Sequence, residues 1–144
     1  MKQKLVMLIA AGGLGLAIAI GTGKAVANSA AFSFTMEMRA VWGNRNGKFH
    51  TLDAGELTLS GDVWVVSKNG GANSTPDVVT IEVHRGTGVS AVCSVKVTPS
   101  TTFNDKRTFD KSCGRVESGS YWVFVERTNP DGWHLKGSGT LVTK

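Results

Sequence analysis

Several residue types that often define small folds are scarce in this chain of 144 residues. It has three prolines, two cysteines and one tyrosine. So few prolines exclude a collagen-like or proline-rich chain, and two cysteines are too few for a four-cysteine zinc site or a densely cross-linked scaffold. Apolar residues spaced three and four apart do not recur after Ala27, so the sequence predicts no long helix.

Motifs that carry catalysis are also missing. The sequence has no His-Glu-x-x-His pair, no Gly-x-Ser-x-Gly elbow, no P-loop and no Cys-x-x-Cys. The three histidines, His50, His84 and His134, lie far apart in sequence, and His50 has an aspartate close by, Asp53. We therefore predict no catalytic residues, no metal ion and no cofactor. A small hydrolase would need His50 or His134 beside a serine and an aspartate.

The N-terminal segment predicts where the protein works. Lys2 and Lys4 precede an uncharged stretch, residues 5–20, and Ala25-Val26-Ala27 matches the small-x-small pattern of a signal peptidase site. A membrane-spanning helix needs about 20 predominantly apolar residues, and this stretch is shorter and holds three glycines. The sequence therefore predicts a signal peptide over residues 1–27, one domain over residues 28–144, and no stable membrane insertion after cleavage.

Charge gives little reason to expect an anionic partner. The whole chain carries a formal charge of +5. Loss of Lys2, Lys4 and Lys24 with the signal peptide leaves 13 basic residues against 11 acidic ones, a formal +2. Proteins that bind nucleic acids usually cluster basic residues on one face, whereas these are scattered. We therefore expect no nucleic-acid partner.

Both cysteines, Cys93 and Cys113, lie in the predicted mature chain. An even number of cysteines in an exported protein predicts a disulfide bond. This bond would close a loop of about 20 residues and stabilise the fold by about 3 kcal/mol in the chain-entropy model. The expected location is the cell exterior or the periplasm, where such a bond persists.

Alternation of apolar and polar residues predicts β-strands throughout the mature chain. It is clearest from Phe32 to Arg39, from Val79 to His84 and from Val89 to Thr98. Seven or eight short strands separated by glycine-rich turns predict an all-β fold, a single antiparallel β-sandwich of the immunoglobulin-like or a related Greek-key type.

One short segment resembles a known class of sandwich. Ser118-Gly119-Ser120-Tyr121, followed by alternating valines, resembles the glycine-x-tyrosine start of a late strand in extracellular immunoglobulin-like and pre-peptidase C-terminal sandwiches. The resemblance covers about ten residues. It implies an architecture and no activity.

Turn residues predict the connections between strands. Residues 85–88 are short enough for a hairpin, and Asn129-Pro130-Asp131-Gly132 predicts a tight turn before a strand at residues 133–136. Glycines at positions 137 and 139 predict a bend before the last strand, at residues 140–143. Residues 99–117 are the least regular and predict a long loop, held to the core by Cys113.

Outward aromatic side chains are the candidate ligand-binding residues. If Tyr121, Val123 and Val125 face the core, Trp122 and Phe124 point outward, and the same alternation points Trp64 outward. A row of such rings is typical of sugar-binding modules and supplies anchors in protein interfaces. The alternative is a central strand buried on both faces.

These observations favour a secreted, non-enzymatic domain that binds a cell-surface polysaccharide or protein through Trp64, Trp122 and Phe124. A secreted antagonist, such as an antibacterial factor or an enzyme inhibitor, is the second hypothesis. It would present a protruding loop, with residues 43–47 or 69–76 as candidates. The sequence leaves the oligomeric state open.

Overall fold

The structure, a computed structural model, describes residues 28–144, so the predicted signal peptide lies outside the described residues. The described part contains nine strands, at least one more than predicted, and no helix. They are β1 (Asn28–Met36), β2 (Ala40–Trp42), β3 (His50–Leu52), β4 (Gly55–Lys68), β5 (Val79–Arg85), β6 (Ala91–Val97), β7 (Arg107–Val116), β8 (Gly119–Arg127) and β9 (Trp133–Thr143). Accordingly, this part holds no helix long and apolar enough to cross a membrane.

The strands form two antiparallel sheets, which confirms the predicted sandwich. The first sheet has the order β1-β9-β4-β7, and the second has the order β2-β8-β5-β6, with β3 also paired to β8. Because β2 and β3 share one edge of the second sheet, they act as two pieces of one interrupted strand. With that reading, each sheet has four strand positions and the order is that of a jelly roll, which combines two Greek keys.

Apolar side chains from the inner faces of both sheets fill the space between them. Alternate residues of β4, β5 and β8 are fully or almost fully buried, among them Leu59, Val63, Ile81 and Val125. Such alternation is what a strand with one wet face requires. The hairpin predicted between the Val79 and Val89 segments is confirmed, because β5 pairs with β6.

The predicted loop at residues 99–117 is wrong over most of its length, because β7 occupies its second half. β7 pairs with β4, and a register shift leaves Cys113 as an extra residue between Gly114 and Ser112. Phe109 and Val116 lie seven residues apart and would face opposite sides of a regular strand. The β-bulge brings both side chains into the core. Because of the extra residue, the apolar and polar residues of β7 do not alternate regularly in the sequence.

The disulfide joins the two sheets along one side of the sandwich. Cys93 lies on β6 and Cys113 on β7, with their Cα atoms 5.3 Å apart. β6 is the edge strand of the second sheet and β7 that of the first. The predicted Cys93–Cys113 bond is therefore confirmed, and it covalently closes this side.

Tyr121 anchors the start of β8. Its side chain is fully buried, and its hydroxyl donates a hydrogen bond to the backbone carbonyl of Glu117, four residues earlier. This is the arrangement of a tyrosine corner in immunoglobulin-like sandwiches. Burial raises the pKa of the Tyr121 hydroxyl above its usual value.

The expected bend at Gly137 and Gly139 is absent, because β9 runs unbroken from Trp133 to Thr143. Both glycines lie opposite β1, where Gly137 pairs with Phe34 and Gly139 with Phe32. A methyl group added at either glycine would overlap the facing phenylalanine ring. The glycines therefore let two rings lie against the backbone of β9.

Candidate functional site

The three predicted ligand-binding aromatics do not share a surface. Trp64 lies on β4 in the first sheet, whereas Trp122 and Phe124 lie on β8 in the second sheet. Their alternation was interpreted correctly, since Val63 and Val65, like Tyr121, are buried in the core. Outward side chains on the two sheets of a sandwich point in opposite directions, so no single row forms.

Trp122 and Phe124 point away from the core but are not exposed. Their exposed fractions are 4% and 8%. Trp42 on β2 covers Phe124 at a centroid distance of 4.2 Å, and the His84 ring on β5 stacks on Trp122 at 4.4 Å. We call these four residues the outer aromatic cluster. Of the two hypotheses for β8, exposed rings or a central strand buried on both faces, the structure supports the second, because neighbouring strands supply rings that cover Trp122 and Phe124.

Hydrogen bonds hold the outer aromatic cluster in place. The Trp122 indole N–H donates to the carbonyl oxygen of Gly86 at 2.9 Å. The His84 Nε2 lies 2.8 Å from a Glu82 carboxylate oxygen, with the histidine side chain almost completely buried. Buried polar groups with partners stabilise one arrangement, so this cluster has the character of a second, small core.

Positive side chains lie over the other tryptophan rings. Arg45 lies 4.3 Å from the Trp42 ring centroid, Lys68 lies 4.8 Å from Trp133, and Lys106 lies 4.9 Å from Trp64. At these distances the contacts are cation–π interactions. Trp42 and Trp64, which are partly exposed, therefore each have a cation against the ring, and Trp133 is buried.

A cleft opens between the sheets on the side away from the disulfide. Its volume is about 620 Å³, and its walls come from β1 in the first sheet and from β2 and β8 in the second. The apolar side chains among its lining residues are Ala31, Phe32, Phe34, Val41, Phe49, Val123 and Val125. We call this space the lateral cleft.

The position of the phenylalanine rings explains why the lateral cleft exists. Phe32 and Phe34 lie against Gly139 and Gly137, so the rings rest on the backbone of β9. On the opposite wall, β2 ends at Trp42 and β3 begins only at His50, so that edge is interrupted. The interruption leaves a lateral opening beside two aromatic rings.

Polar groups surround the mouth of the lateral cleft. Asn46, Lys48 and His50 lie on or next to the segment between β2 and β3, and Phe49 beside them is half exposed. Partial burial, and to a lesser degree the positive charge of Lys48, lowers the pKa of His50 below its usual value of 6.5. Half of the fourteen residues that line the cleft are apolar and the others are polar residues or glycines, and ligand sites combine apolar walls with polar groups.

The small-hydrolase hypothesis depends on the histidines and on the carboxylates near them. Among residues 28–144, no three side chains of His, Cys, Asp or Glu come together to hold a metal ion. The histidine–carboxylate contact of the described part is His84 with Glu82, in the outer aromatic cluster. His50, considered with Asp53 in the sequence, instead lines the lateral cleft.

The loop at residues 69–76, a candidate for a protruding inhibitory loop, is bound to the domain. The Trp133 indole N–H donates to the carbonyl oxygen of Asn73 at 2.8 Å, and the Asn73 N–H donates to the Asp131 carbonyl oxygen at 2.9 Å. Ala72 packs closely against Gly132. The other candidate, residues 43–47, belongs to the mouth of the lateral cleft.

Sequence reasoning missed the lateral cleft although a signal for it was present. Phe32 and Phe34 are two residues apart on one predicted strand, and Gly137 and Gly139 are two apart near another. Two large rings matched to two glycines at the same spacing indicate that these strands pair, with rings over the glycines. For the opposite wall of the cleft, formed by β2 and β8, the sequence contains no similar pattern.

No protein-family model matches the sequence, and the search of curated proteins found no match. The fold is similar to that of the C-terminal CBM6 of LamC, a laminarinase from the marine bacterium Zobellia galactanivorans. Identity is 11%, the TM-score is 0.48, and the alignment covers 81% of this chain and 100% of that one.

Two further structures show comparable similarity. A carbohydrate-binding module of lichenase 5A from Cellvibrio mixtus, solved with cellotriose, has 8% identity and a TM-score of 0.47 over 81% of this chain and 86% of that one. A Bacillus endospore appendage from a family of disulfide-linked pili has 14% identity and a TM-score of 0.39 over 83% and 87%. Similarity at this level carries no functional argument.

Proposed function

We propose that residues 28–144 form a non-enzymatic binding domain that works outside the cytoplasm and holds an apolar group of a cell-surface partner in the lateral cleft. The observation that carries the proposal is the cleft itself, about 620 Å³ in volume, with Phe32 and Phe34 on one wall and valines on the other. Pockets of about 300–1,000 Å³ with mostly apolar walls are the usual size and chemistry of ligand sites.

The disulfide supports a location outside the cytoplasm. Structural disulfides persist in oxidising compartments and are rare in the cytosol of most organisms. The predicted signal peptide over residues 1–27 leads to the same compartment. N-terminal sequencing of protein recovered from the medium or periplasm should start near Asn28, and a chain that still carries residues 5–20 would contradict export by cleavage.

A protein partner fits the lateral cleft better than a glycan does. Phenylalanine and valine side chains form its inner walls, and such walls favour an apolar side chain, whose burial contributes about 1.5–3 kcal/mol. A glycan would be expected to stack on exposed tryptophan rings, but Trp42 and Trp64 each have a cation against the ring and Trp133 is buried. Polar groups at the cleft mouth could then fix the backbone of the bound segment.

Filling the lateral cleft tests the proposal. Val41 is half buried on β2 and lines the cleft, so Val41→Phe should occupy part of the space without displacing the core. Val92→Phe is the matched control, because Val92 is on β6, the edge strand on the disulfide side, and 36% of its surface is exposed. Thermal melting would first establish that both variants are folded.

The probes are a phage-displayed random peptide library and a soluble glycan array. Peptides selected on the wild-type domain should carry a large apolar residue, bind Val92→Phe equally well, and lose at least about tenfold in affinity for Val41→Phe. Peptides that bind all three proteins equally would overturn the proposal. Binding of glycans alone would return the polysaccharide hypothesis to first place.

A further inference from the structure

The four sheet edges of the described part are not equally protected against pairing with another chain. An edge strand leaves a row of backbone N–H and C=O groups unpaired, and proteins usually protect it with charges, proline, bulges or short length. β2 and β3 have three residues each, which limits pairing. β6 is short, contains Lys96, and has a bulge at Val92.

The edge strand β7 is protected by charge and by its bulge. Four of its residues are charged, namely Arg107, Asp110, Lys111 and Arg115. Cys113 is the extra residue of its bulge and is bonded to β6. These features interrupt the regular backbone pattern that a second strand would need.

β1 has none of these protections. Its nine residues, Asn28–Met36, include no charge and no proline. All nine pair with β9 without a register shift, so the opposite edge of β1 is regular over its whole length. The exposed side chains on β1 are the small residues Ser29, Ala31, Ser33 and Thr35, which allow the backbone of another strand to approach.

We propose that β1 pairs edge to edge and antiparallel with β1 of a second copy of this chain, joining two four-stranded sheets into one of eight strands. An antiparallel pair of identical strands is related by a two-fold axis, the commonest symmetry of protein dimers. Because Asn28–Met36 carries no charge, no register about that axis places like side-chain charges opposite each other. A strand of another protein that carries charges would find no opposite side-chain charge on β1, so a second uncharged β1 is the better match.

Exposed apolar groups lie near the same edge. Phe49 lines the lateral cleft together with β1 residues and is 50% exposed, and Met38, two residues after β1, is 70% exposed. Exposed apolar side chains next to an unprotected strand edge are typical of protein–protein interfaces. Because β1 forms one wall of each lateral cleft, pairing would also place the clefts of the two copies on either side of the β1–β1 interface.

The inference concerns the free edge of β1, whose residues 31–35 also line the lateral cleft, and its test is separate from that of the proposed function. The test uses charge exchange at Ser33, an exposed β1 residue. Ser33→Lys and Ser33→Glu each place like charges near one another across the two-fold axis, whereas a mixture of the two variants places opposite charges there. Ser94→Lys and Ser94→Glu are matched controls, because Ser94 is an exposed serine on β6, an edge strand on the other side of the sandwich.

Sedimentation velocity over loading concentrations from about 1 µM to about 1 mM gives the association state. The wild type and both Ser94 variants should form dimers as concentration rises. Each Ser33 variant alone should dimerise at least about tenfold more weakly, and the mixture should recover dimerisation. Circular dichroism would show that all variants remain folded.

Two results would overturn the inference. The first is a wild-type protein that stays monomeric throughout the concentration range. The second is a dimer that forms equally well in Ser33→Lys, in Ser33→Glu and in their mixture, which would mean that copies associate elsewhere or exchange β1 onto each other's β9. Loss of peptide binding in Val41→Phe with dimerisation intact would leave this inference standing separately from the proposed function.

Discussion

Arg127 and Asp131 form an ion pair from which solvent is excluded. The Arg127 Nη1 donates to an Asp131 carboxylate oxygen at 2.5 Å, and both side chains have no exposed surface. The guanidinium also donates to three backbone carbonyl oxygens, those of Glu37, Met38 and Trp133. Asp131 accepts hydrogen bonds from the backbone N–H groups of Asp77 and Trp133. The pair therefore connects the β8–β9 turn to the β1–β2 bend and to the segment before β5.

Replacing Asp131 with Asn should lower the free energy of unfolding by about 3–5 kcal/mol, because the Arg127 charge would remain buried without a counter-charge. Urea denaturation at neutral pH measures the change. Asp105→Asn is the control, since Asp105 lies 3.7 Å from Arg107 with both side chains exposed, and exposed ion pairs contribute at most about 1 kcal/mol. Equal losses in the two variants would contradict the structural role of the buried pair.

Trp122→Ala should destabilise the domain by about 3–5 kcal/mol, because a large buried ring would leave a cavity. The variant also loses the stacking on His84 and the hydrogen bond to Gly86. Met38→Ala is the comparison, since 70% of Met38 is exposed and its loss should change stability by about 0.5 kcal/mol or less. A small effect of Trp122→Ala on the melting curve would show that the outer aromatic cluster does not cover this ring in solution.

Gly137→Ala should destabilise the domain by about 1–3 kcal/mol, because the new methyl group overlaps the Phe34 ring. Gly70→Ala meets no neighbouring atom within 4 Å and should be neutral or stabilise by up to about 1 kcal/mol. Chemical denaturation of both variants gives the comparison. Adding Phe34→Leu to Gly137→Ala should recover part of the loss, and a purely additive double variant would count against direct contact.

Removing the disulfide with a Cys93→Ala, Cys113→Ala double variant should lower the free energy of unfolding by about 2–4 kcal/mol without changing the fold. The effect follows from the larger conformational freedom of the unfolded chain. Denaturation with and without a thiol reductant measures it. The reductant should destabilise the wild type and leave the double variant unchanged, and equal sensitivity of both proteins would exclude the bond as the cause.

Stability should rise with pH as His50 loses its proton. Burial, then the charge of Lys48, lowers the pKa of His50 in the folded state below 6.5. Between the folded pKa and 6.5 the unfolded chain binds more protons, so acidification through this window favours unfolding, and above it the contribution is constant. Unfolding free energies measured near about pH 7.5 and about pH 5 should differ less in His50→Gln than in the wild type. An identical difference would rule out this contribution.

The sequence predicted the sandwich because most strands bury alternate residues, as β4 does at Leu57, Leu59, Val63 and Val65. It failed at β7 because a bulge at Cys113 breaks the alternation between Phe109 and Val116. Alternation within one strand could not show which sheet that strand joins, so Trp64 was grouped with Trp122.

Whether an outward side chain is buried also depends on residues that are far away in the sequence. Trp122 is buried by Trp42 and His84, which reach it because β2 and β5 pair with β8, the strand that carries Trp122. The lateral cleft depends in the same way on the register between β1 and β9 and on the interruption between β2 and β3. Both features follow from tertiary pairing, which local patterns do not encode.

The disulfide has a mechanical consequence when the domain is pulled from its two ends. When the domain is stretched until it unfolds, the chain between Cys93 and Cys113, a sequence separation of 20, remains a closed loop and cannot lengthen. At about 3.6 Å per extended residue, the bond withholds about 70 Å of contour length. The bond therefore limits the length to which the unfolded domain can be stretched, in addition to stabilising the fold. Reduction of the bond would increase that length without cleaving the chain.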